Sequence, residues 1–556
     1  MRRIDAELLL LEGVAAARRA EPGTAARCWA QILEASADAD LRTQAYFNLG
    51  QVCRRNGDMQ SAAGCFEHAL AEDGQNHEAR EQLALMQAQR GELAAAAAEL
   101  QRLVSAQAEA RHCFNLGTVL ARQGMPGPAE SAYRQGLLLL PGDAVGLGKV
   151  GAQLAEGEME AGAVHCLAQA AAALNDPLTL PLAAIHNQLD AATFFLERAA
   201  DLAPENAVFH YELASLRVEQ RRLAEAESGF RRALQLDPAC HRAAMGLAHV
   251  LLGQGRAEGW GLRETRLEAM DRNAKFLRSS PPTPRWGGES LRGKVLLLRQ
   301  EQGFGDEIQF IRYLSRLRAM QPARIFMQCH PALHALLAGL PGLELLTEAA
   351  TLPHHDFWIS TLSLPLYCGG ADIPADIPYL HAPAACCEHW AALLGPAQGR
   401  LRVGLLWQGN SFHINDRQRS LSSLGQLAPL WEIEGVDFFS LQREAVDTAL
   451  PLRQFCSEIT DFAEAAGLMS QLDLVLSVDS AYAHLAGALG LRAWVLLSAV
   501  ETDWRWAYAG ETTSWYPGMR LFRQTQRGDW AGAVAAAGVA LRRLRDALPS
   551  SAGHSP

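Results

Sequence analysis

The chain has 556 residues, 49% of them hydrophobic, and a formal net charge of −11. That length exceeds what one core supports and predicts two or three domains. The acidic balance argues against a nucleic-acid-binding surface as the main function.

The start, MRRIDAELLLLEGVAAARRA, mimics a signal peptide, but Asp5, Glu7 and Glu12 interrupt its apolar region. It predicts an amphipathic helix instead. No apolar run reaches the ~18 residues of a membrane span. The 11 cysteines are odd in number and hold no CxxC pair, although Cys386 and Cys387 are adjacent. That pattern suits reduced thiols better than a disulfide framework or a zinc site. A cytoplasmic protein is expected.

The first half repeats itself. FNLGQVCRRNGDMQSAAGCFEHAL, from Phe47 to Leu70, is echoed by FNLGTVLARQGMPGPAESAYRQGL, from Phe114 to Leu137. Gly117 and Gly151 lie 34 residues apart, as do the ends of LERAADLAP at Pro204 and FRRALQLDP at Pro238. Copies are predicted at 9–42, 43–76, 77–109, 110–143, 144–177, 178–206 and 207–240, with a capping helix pair from His241. The third, fifth and sixth copies are imperfect, and Asn175-Asp176-Pro177 with Pro181 predicts an irregular turn. The period and the closing prolines resemble the tetratricopeptide repeat, a helical hairpin that stacks into a superhelix with a concave binding face. Asn48 and Asn115 precede the Leu-Gly of their repeats. They either face that groove and hold a peptide backbone, or are ordinary polar helix positions.

A Pro/Gly-rich linker spans 278–290, and the two halves are expected to separate there. Trp286 is expected to dock it on the second half. Beyond it, Lys294 to Leu314 reads KVLLLRQEQGFGDEIQFIRYL. A doubly buried strand, a glycine turn and a helix open a doubly wound α/β domain. Asp306 is either a helix cap or a carboxylate placed at a cleft to take a proton. Further strands are predicted at RIFMQC, LELLT, DFWISTLSLP, RVGLLWQG, VDFFSLQ, ITDF, LDLVLSVD and AWVLLS. Strands alternating with helices twice over predict two parallel sheets facing across a cleft, in units at 291–398 and 399–548, with a tail at 549–556.

Ligands of such sheets bind at the carboxyl ends of strands. The loops there carry Gly303, Gly305, Gln408, Asn410, His413, Asn415, Asp416, Arg417, Arg419, Ser420, Gln442, Asp479, Ser480 and His484. Glycines let backbone approach a ligand. Ser480 predicts an N-cap whose following N–H groups face a phosphate, and Arg417 or Arg419 would neutralise a diphosphate. Asp479 either orients Ser480 or accepts from a ribose hydroxyl. His484 is read as a site residue, against the alternative of a structural histidine.

The stretches QEQGFGDEIQFIRYL, RVGLLWQGN with NDRQRSL, FFSLQ, DFAEAAGLMSQLDLVLSVDSAYAHLAGALG, and DWRW with SWYPGMRLFRQ together resemble the C-terminal domain of bacterial tetratricopeptide-repeat glycosyltransferases. That domain is related to the ADP-heptose heptosyltransferases of the GT-B fold. The resemblance covers about residues 290–545. It implies that Asp306 of Gly305-Asp306 is the general base. It also implies that Asp479–His484 is the nucleotide-sugar motif, with Ala481 where a glycine is frequent. Arg419 stands near where heptosyltransferases carry a phosphate-binding lysine.

The resemblance implies a metal-independent transferase that needs no cofactor and moves a sugar from a nucleotide sugar to a protein hydroxyl. Gly303, Gly305, Gln408, Asn410, Arg419, Ser420, Gln442, Asp479, Ser480 and His484 would bind the donor, and the repeats would hold the acceptor, flagellin being the leading candidate. His413 and Glu307 stand next as bases after Asp306. The alternatives are a non-catalytic scaffold with a relic GT-B domain, and a lipopolysaccharide-type glycosyltransferase. The short N-terminal α/β unit weighs against the latter.

Overall fold

The computed structural model describes residues 3–18, 22–55, 58–140, 142–156, 161–174, 182, 188–267, 281–347, 351–370, 372–410, 416–446, 449–500 and 502–547. The chain divides into two compact units. One holds Met1–Leu247 with Thr265–Arg278, the other Ala248–Glu264 with Ser279–Pro556. The predicted irregular turn at 175–177 and Pro181, most of the linker's first part, and the tail at 549–556 lie outside the described residues.

The first unit is all helix. Hairpins form from Arg3–Arg18 with Pro22–Ala35, Ala39–Arg55 with Met59–Glu72, His77–Gln89 with Leu93–Ala106, Ala110–Arg122 with Pro126–Leu138, and Ala207–Glu219 with Leu223–Leu236. The repeated Leu-Gly has a packing cause. A Cβ on Gly50 would lie 2.6 Å from the Phe66 ring, and on Gly117 2.8 Å from Tyr133. Each glycine lets the aromatic ring of the paired helix sit on bare backbone. Asp58, Asn76 and Asn206 cap the helices that follow them. The fifth and sixth copies depart from the simple pattern. Helix Ala144–Glu156 packs on Gln188–Leu202, while Ala161–Leu174 packs back on Pro126–Leu138.

The second unit carries two parallel sheets. The first has β1 (Val295–Arg299), β2 (Arg324–Gln328), β3 (Glu344–Leu346) and β4 (Phe357–Ser360), in the order β3-β2-β1-β4. The second has β5 (Leu401–Leu406), β6 (Val436–Ser440), β7 (Leu452–Arg453), β8 (Leu474–Val478), β9 (Ala493–Leu497) and β10 (Met519–Arg523), in the order β10-β9-β8-β5-β6-β7. All of these pairings are parallel. Both sheets reverse direction next to their first strand, between β1 and β4 and between β5 and β8, the doubly wound pattern. β5 is buried at every position, as a central strand covered by helices on both faces must be.

Three strand readings shift. ITDF is not a strand. Its Asp461 instead caps helix Phe462–Met469, accepting from Ala463 N–H at 2.8 Å and Glu464 N–H at 2.9 Å. The edge position goes to β7. The strand in DFWISTLSLP stops at Ser360, whose side chain starts a 3₁₀ turn at Thr361–Ser363. β10 was not predicted, because MRLFR carries two arginines. Both are only partly buried, which an outermost strand allows.

The described part of the linker belongs to the second unit. Trp286 is buried, its N–H donates to the Trp358 carbonyl at 2.8 Å, and its indole donates to the Glu289 carbonyl at 2.8 Å. Ala248–Glu264, which the sequence reading places in the repeat array, is also part of this unit. Trp260 is buried there, with its indole N–H on the Gly370 carbonyl at 3.2 Å and its ring edge-on to Trp504 at 5.2 Å.

Candidate functional site

β1 ends at Arg299, and Gly303 leads into helix Phe304–Phe310. Asp306 is the third helical residue. Its Oδ2 accepts from the Gly303 N–H at 3.1 Å, closing the first turn on itself. Its Oδ1 is ion-paired with Arg505. The side chain is 17% exposed and lines a cavity. Asp306 is thus both a cap and a cleft carboxylate.

β8 ends at Val478, and Ser480 opens helix Ala481–Ala488. The Ser480 hydroxyl accepts from the Ala483 N–H at 3.3 Å and is hydrogen-bonded to the Ser477 hydroxyl at 2.8 Å. Its oxygen serves the cap. The N–H groups of Ala481 and Tyr482 meet no acceptor among the described residues, and both residues line the cavity. Unpaired N–H groups at a helix start are chemically suited to an anion.

The two helix starts touch. A Cβ on Gly305 would lie 2.9 Å from His484 Cδ2 and 3.3 Å from Ala481 Cα. Gly305 is there because two helices cross at backbone distance, which places Asp306 beside the Ser480 turn. His484 is 6% exposed, hydrogen-bonded through Nδ1 to the Tyr516 hydroxyl at 3.0 Å and stacked on Trp506 at 5.1 Å. Burial, then the Arg505 charge, pushes its imidazole down to about 3, so the ring is neutral.

After β5, a Cβ on Gly409 would lie 2.7 Å from the Asp416 carboxylate and 3.1 Å from the Arg419 guanidinium. Those side chains close over the bare backbone of Gly409. Ser420 receives the Gly409 N–H at 2.8 Å and donates to Asp416 at 2.8 Å. It does not line the cavity. It supports the loop rather than facing a ligand. Arg419 is half-buried, with Asp416 as a long 3.4 Å partner. Gln442 accepts from the Gln408 N–H at 3.2 Å, joining the loops after β5 and β6.

The loop after β9 supplies what the sequence reading left without a role. Arg505 is 7% exposed. It donates to Asp503 at 2.8 Å, to Gln309 and to Asp306, and it lies over Trp504 at 4.6 Å and Phe310 at 5.4 Å. Burial lowers its pKa, but Asp503 and Asp306 outweigh that and raise it. Burial pushes the Asp503 carboxyl up, but Arg505 and then His249 bring it down to about 2. Burial, reinforced by Asp503, pushes the Asp479 carboxyl up to about 6. Arg419 and Arg505 lower it, but by less than burial raises it. His249, held by the Thr502 carbonyl at 3.1 Å, and Arg263 also line the cavity. Asp503-x-Arg505 inside DWRW was the available signal, but nothing local says which carboxylate the arginine meets.

The cavity measures about 1070 Å³, room for a drug-sized ligand or more. It opens at the carboxyl ends of β1, β2, β5, β6, β8 and β9, as expected for this sheet topology. Gly303, Gly305, Asp306, Gln408, Asn410, Arg419, Gln442, Asp479, Ser480 and His484 all line it. Asn48 and Asn115 belong to the repeat unit. Asn115 is only 7% exposed, so it is packed inside rather than presented to a peptide, while Asn48 is half-buried. His413 and Asn415 lie outside the described residues, and the Arg417 side chain is likewise not described. Glu307 is no substitute base. It is fully buried, accepts from Thr361 at 2.7 Å, and burial raises its pKa well above the carboxylate range.

Comparison with known proteins gives the following. The family model described as tetratricopeptide repeat matches residues 10–77, 56–112 and 211–259. The first half therefore carries tetratricopeptide repeats. Protein FlbA of Caulobacter vibrioides is 27% identical over 477 residues, covering 77% of this chain and 78% of its own. Among solved structures, a tetratricopeptide repeat protein from Parabacteroides merdae is 16% identical with a TM-score of 0.27, covering 50% of this chain and 96% of that one. TTC0263 of Thermus thermophilus is 19% identical with a TM-score of 0.24, covering 42% and 94%. YrrB, described as a repeat protein with an unusual peptide-binding site, is 17% identical with a TM-score of 0.20, covering 38% and 94%.

Proposed function

We propose that the protein is a metal-independent GT-B-type glycosyltransferase that moves a sugar from a nucleotide sugar to a hydroxyl of a protein held by the repeats. One observation carries this reading. The helix start bearing Asp306 touches the helix start bearing the free N–H groups of Ala481 and Tyr482, across Gly305. A base and an anion site therefore share one cavity. Its lining has carboxylates as well as arginines, so a phosphate is drawn to the local positive spot, the helix start with Arg419, rather than to the cavity at large.

In this reading Arg419 and the Ala481 and Tyr482 N–H groups hold the donor's phosphates. The acceptor oxygen attacks the anomeric carbon while Asp306 takes its proton. The bond from that carbon to the phosphate oxygen breaks, and the nucleotide leaves with the bonding pair, its charge met by the arginine and the helix start. A single displacement inverts the anomeric configuration. Flagellin is the first acceptor to test, since the family resemblance points to it.

The experiment uses purified full-length protein, a panel of nucleotide sugars and flagellin, scored by mass spectrometry of the acceptor. Transfer is expected from wild type. Asp306→Asn is expected to lose about 10²–10⁴-fold in rate while still binding donor. A non-catalytic scaffold is the second reading, favoured by the fact that both Asp306 oxygens already have partners. Wild type that captures its acceptor but transfers nothing decides for the scaffold.

A further inference from the structure

We propose that Arg505 is the positioning residue for Asp306, aiming its carboxylate at the acceptor hydroxyl rather than binding the donor. The inference rests on the transferase reading above. Arg505 comes from the second sheet and Asp306 from the first, 199 residues apart in the chain. A guanidinium presents its donors in a fixed plane, and this one uses three of its nitrogens on three partners. Nε donates to Gln309, Nη1 to Asp503 at 2.8 Å, and Nη2 to Asp306. Gln309 lies on the same helix as Asp306, one turn further on. The fork therefore grips that helix at two points and fixes the side chain's direction with it.

The loop behind Arg505 is itself braced. Asp503 accepts from the Arg505 N–H at 2.9 Å, Thr513 donates to the Arg505 carbonyl at 2.9 Å, and His249 holds the Thr502 carbonyl at 3.1 Å. Arg505 lines the cavity but commits three of its five N–H donors, one from each nitrogen, to Gln309, Asp503 and Asp306. It answers two carboxylates, so Asp306 is held without sole claim on the cation and keeps lone pairs for a proton.

The test is a kinetic double-mutant cycle in the full chain, with donor affinity and thermal transition measured on every variant. Arg505→Lys keeps the charge but loses the fork. Its kcat is expected to fall about 10²-fold, the cost of a misaimed group, with donor Kd within about twofold. In the Asp306→Asn background the same change is expected to cost nothing more, because its target is gone. Losses that multiply in the double variant overturn the inference. So does a donor Kd that rises about tenfold with kcat at saturating donor unchanged, which makes Arg505 a donor ligand. If Arg505→Lys does not fold, Gln309→Met decides the same cycle, since it removes one tether outside the cavity. A drop in kcat seen only beside Asp306 supports the inference, and an unchanged kcat overturns it. Wild type without transfer overturns the transferase reading itself, and the inference falls with it.

Discussion

Asp479 is a cavity carboxylate whose charge changes within the range of ordinary assay pH. Burial and the neighbouring Asp503 hold its pKa at about 6. His484 sits at about 3 and Asp503 at about 2, so neither changes charge near pH 6. Above pH 6 Asp479 adds a negative charge to the wall proposed to receive an anionic donor; below it that charge is gone. Donor affinity is expected to weaken on the order of tenfold as pH rises from 5 to 7, the effect of one like charge at an effective dielectric between water and protein. Calorimetric titration across that range checks it, and Asp479→Asn is expected to flatten the profile. Arg419 and His484, alike in the sequence reading, part company in the structure. Arg419→Ala is expected to weaken donor binding and leave the thermal transition within about 1 kcal/mol, since its ion pair with Asp416 is long at 3.4 Å. His484→Ala empties a buried, stacked and hydrogen-bonded position and is expected to cost about 2–4 kcal/mol. Parallel melts and binding curves separate the two.

The element that organises the site is the crossing of helices Phe304–Phe310 and Ala481–Ala488. It works because Gly305 has no side chain. Gly305→Ala puts a methyl 2.9 Å from His484 and 3.3 Å from Ala481 backbone. The first neighbour is a ring pinned by Tyr516 and Trp506, so it cannot swing away. A loss of about 1–3 kcal/mol is expected from overpacking. In the transferase reading, transfer is expected to fall further than stability, because the separation of Asp306 from the Ala481 helix start changes with the crossing. Denaturant unfolding beside a transfer assay checks this. Transfer at the wild-type rate would mean that the crossing does not set the geometry of the reaction.

For the whole molecule, the structure moves the lower limit of the second unit to Ala248. The sequence reading expects a cut near 280–290 to release an intact second half. Yet Trp260 packs on Trp504, Tyr508 donates to the His249 carbonyl at 3.2 Å, and a Cβ on Gly253 would meet the Tyr508 ring at 2.4 Å. Those contacts brace the loop that carries Arg505. A fragment of residues 248–556 is expected to fold and bind donor. One of residues 285–556 is expected to melt earlier and bind donor more weakly, having lost His249, Trp260 and Arg263. Neither is expected to modify the protein acceptor well, since the acceptor is no longer held near the cleft. Equal melting of the two fragments would show that Ala248–Glu264 adds nothing to the unit.

Much of this protein is legible in its sequence. Repetition at 34 residues encodes helical hairpins, because a helix pair must present the same small and aromatic residues to each neighbour. Apolar runs ending in Gly, Asn, Asp and Ser mark strands and their carboxyl ends, so eleven glycine and polar residues named from the sequence line the cavity. These features depend on which way a side chain faces, and periodicity records that. Tertiary structure decided the rest. It set the edge strands β7 and β10, the burial of Asn115 and Glu307, the place of Ser420 behind the wall, and the membership of Ala248–Glu264. It also brought Arg505 to Asp306 across 199 residues. Such facts concern which distant partner a group meets. A helix or strand pattern fixes the direction of a side chain and leaves its partner open until the sheets pack.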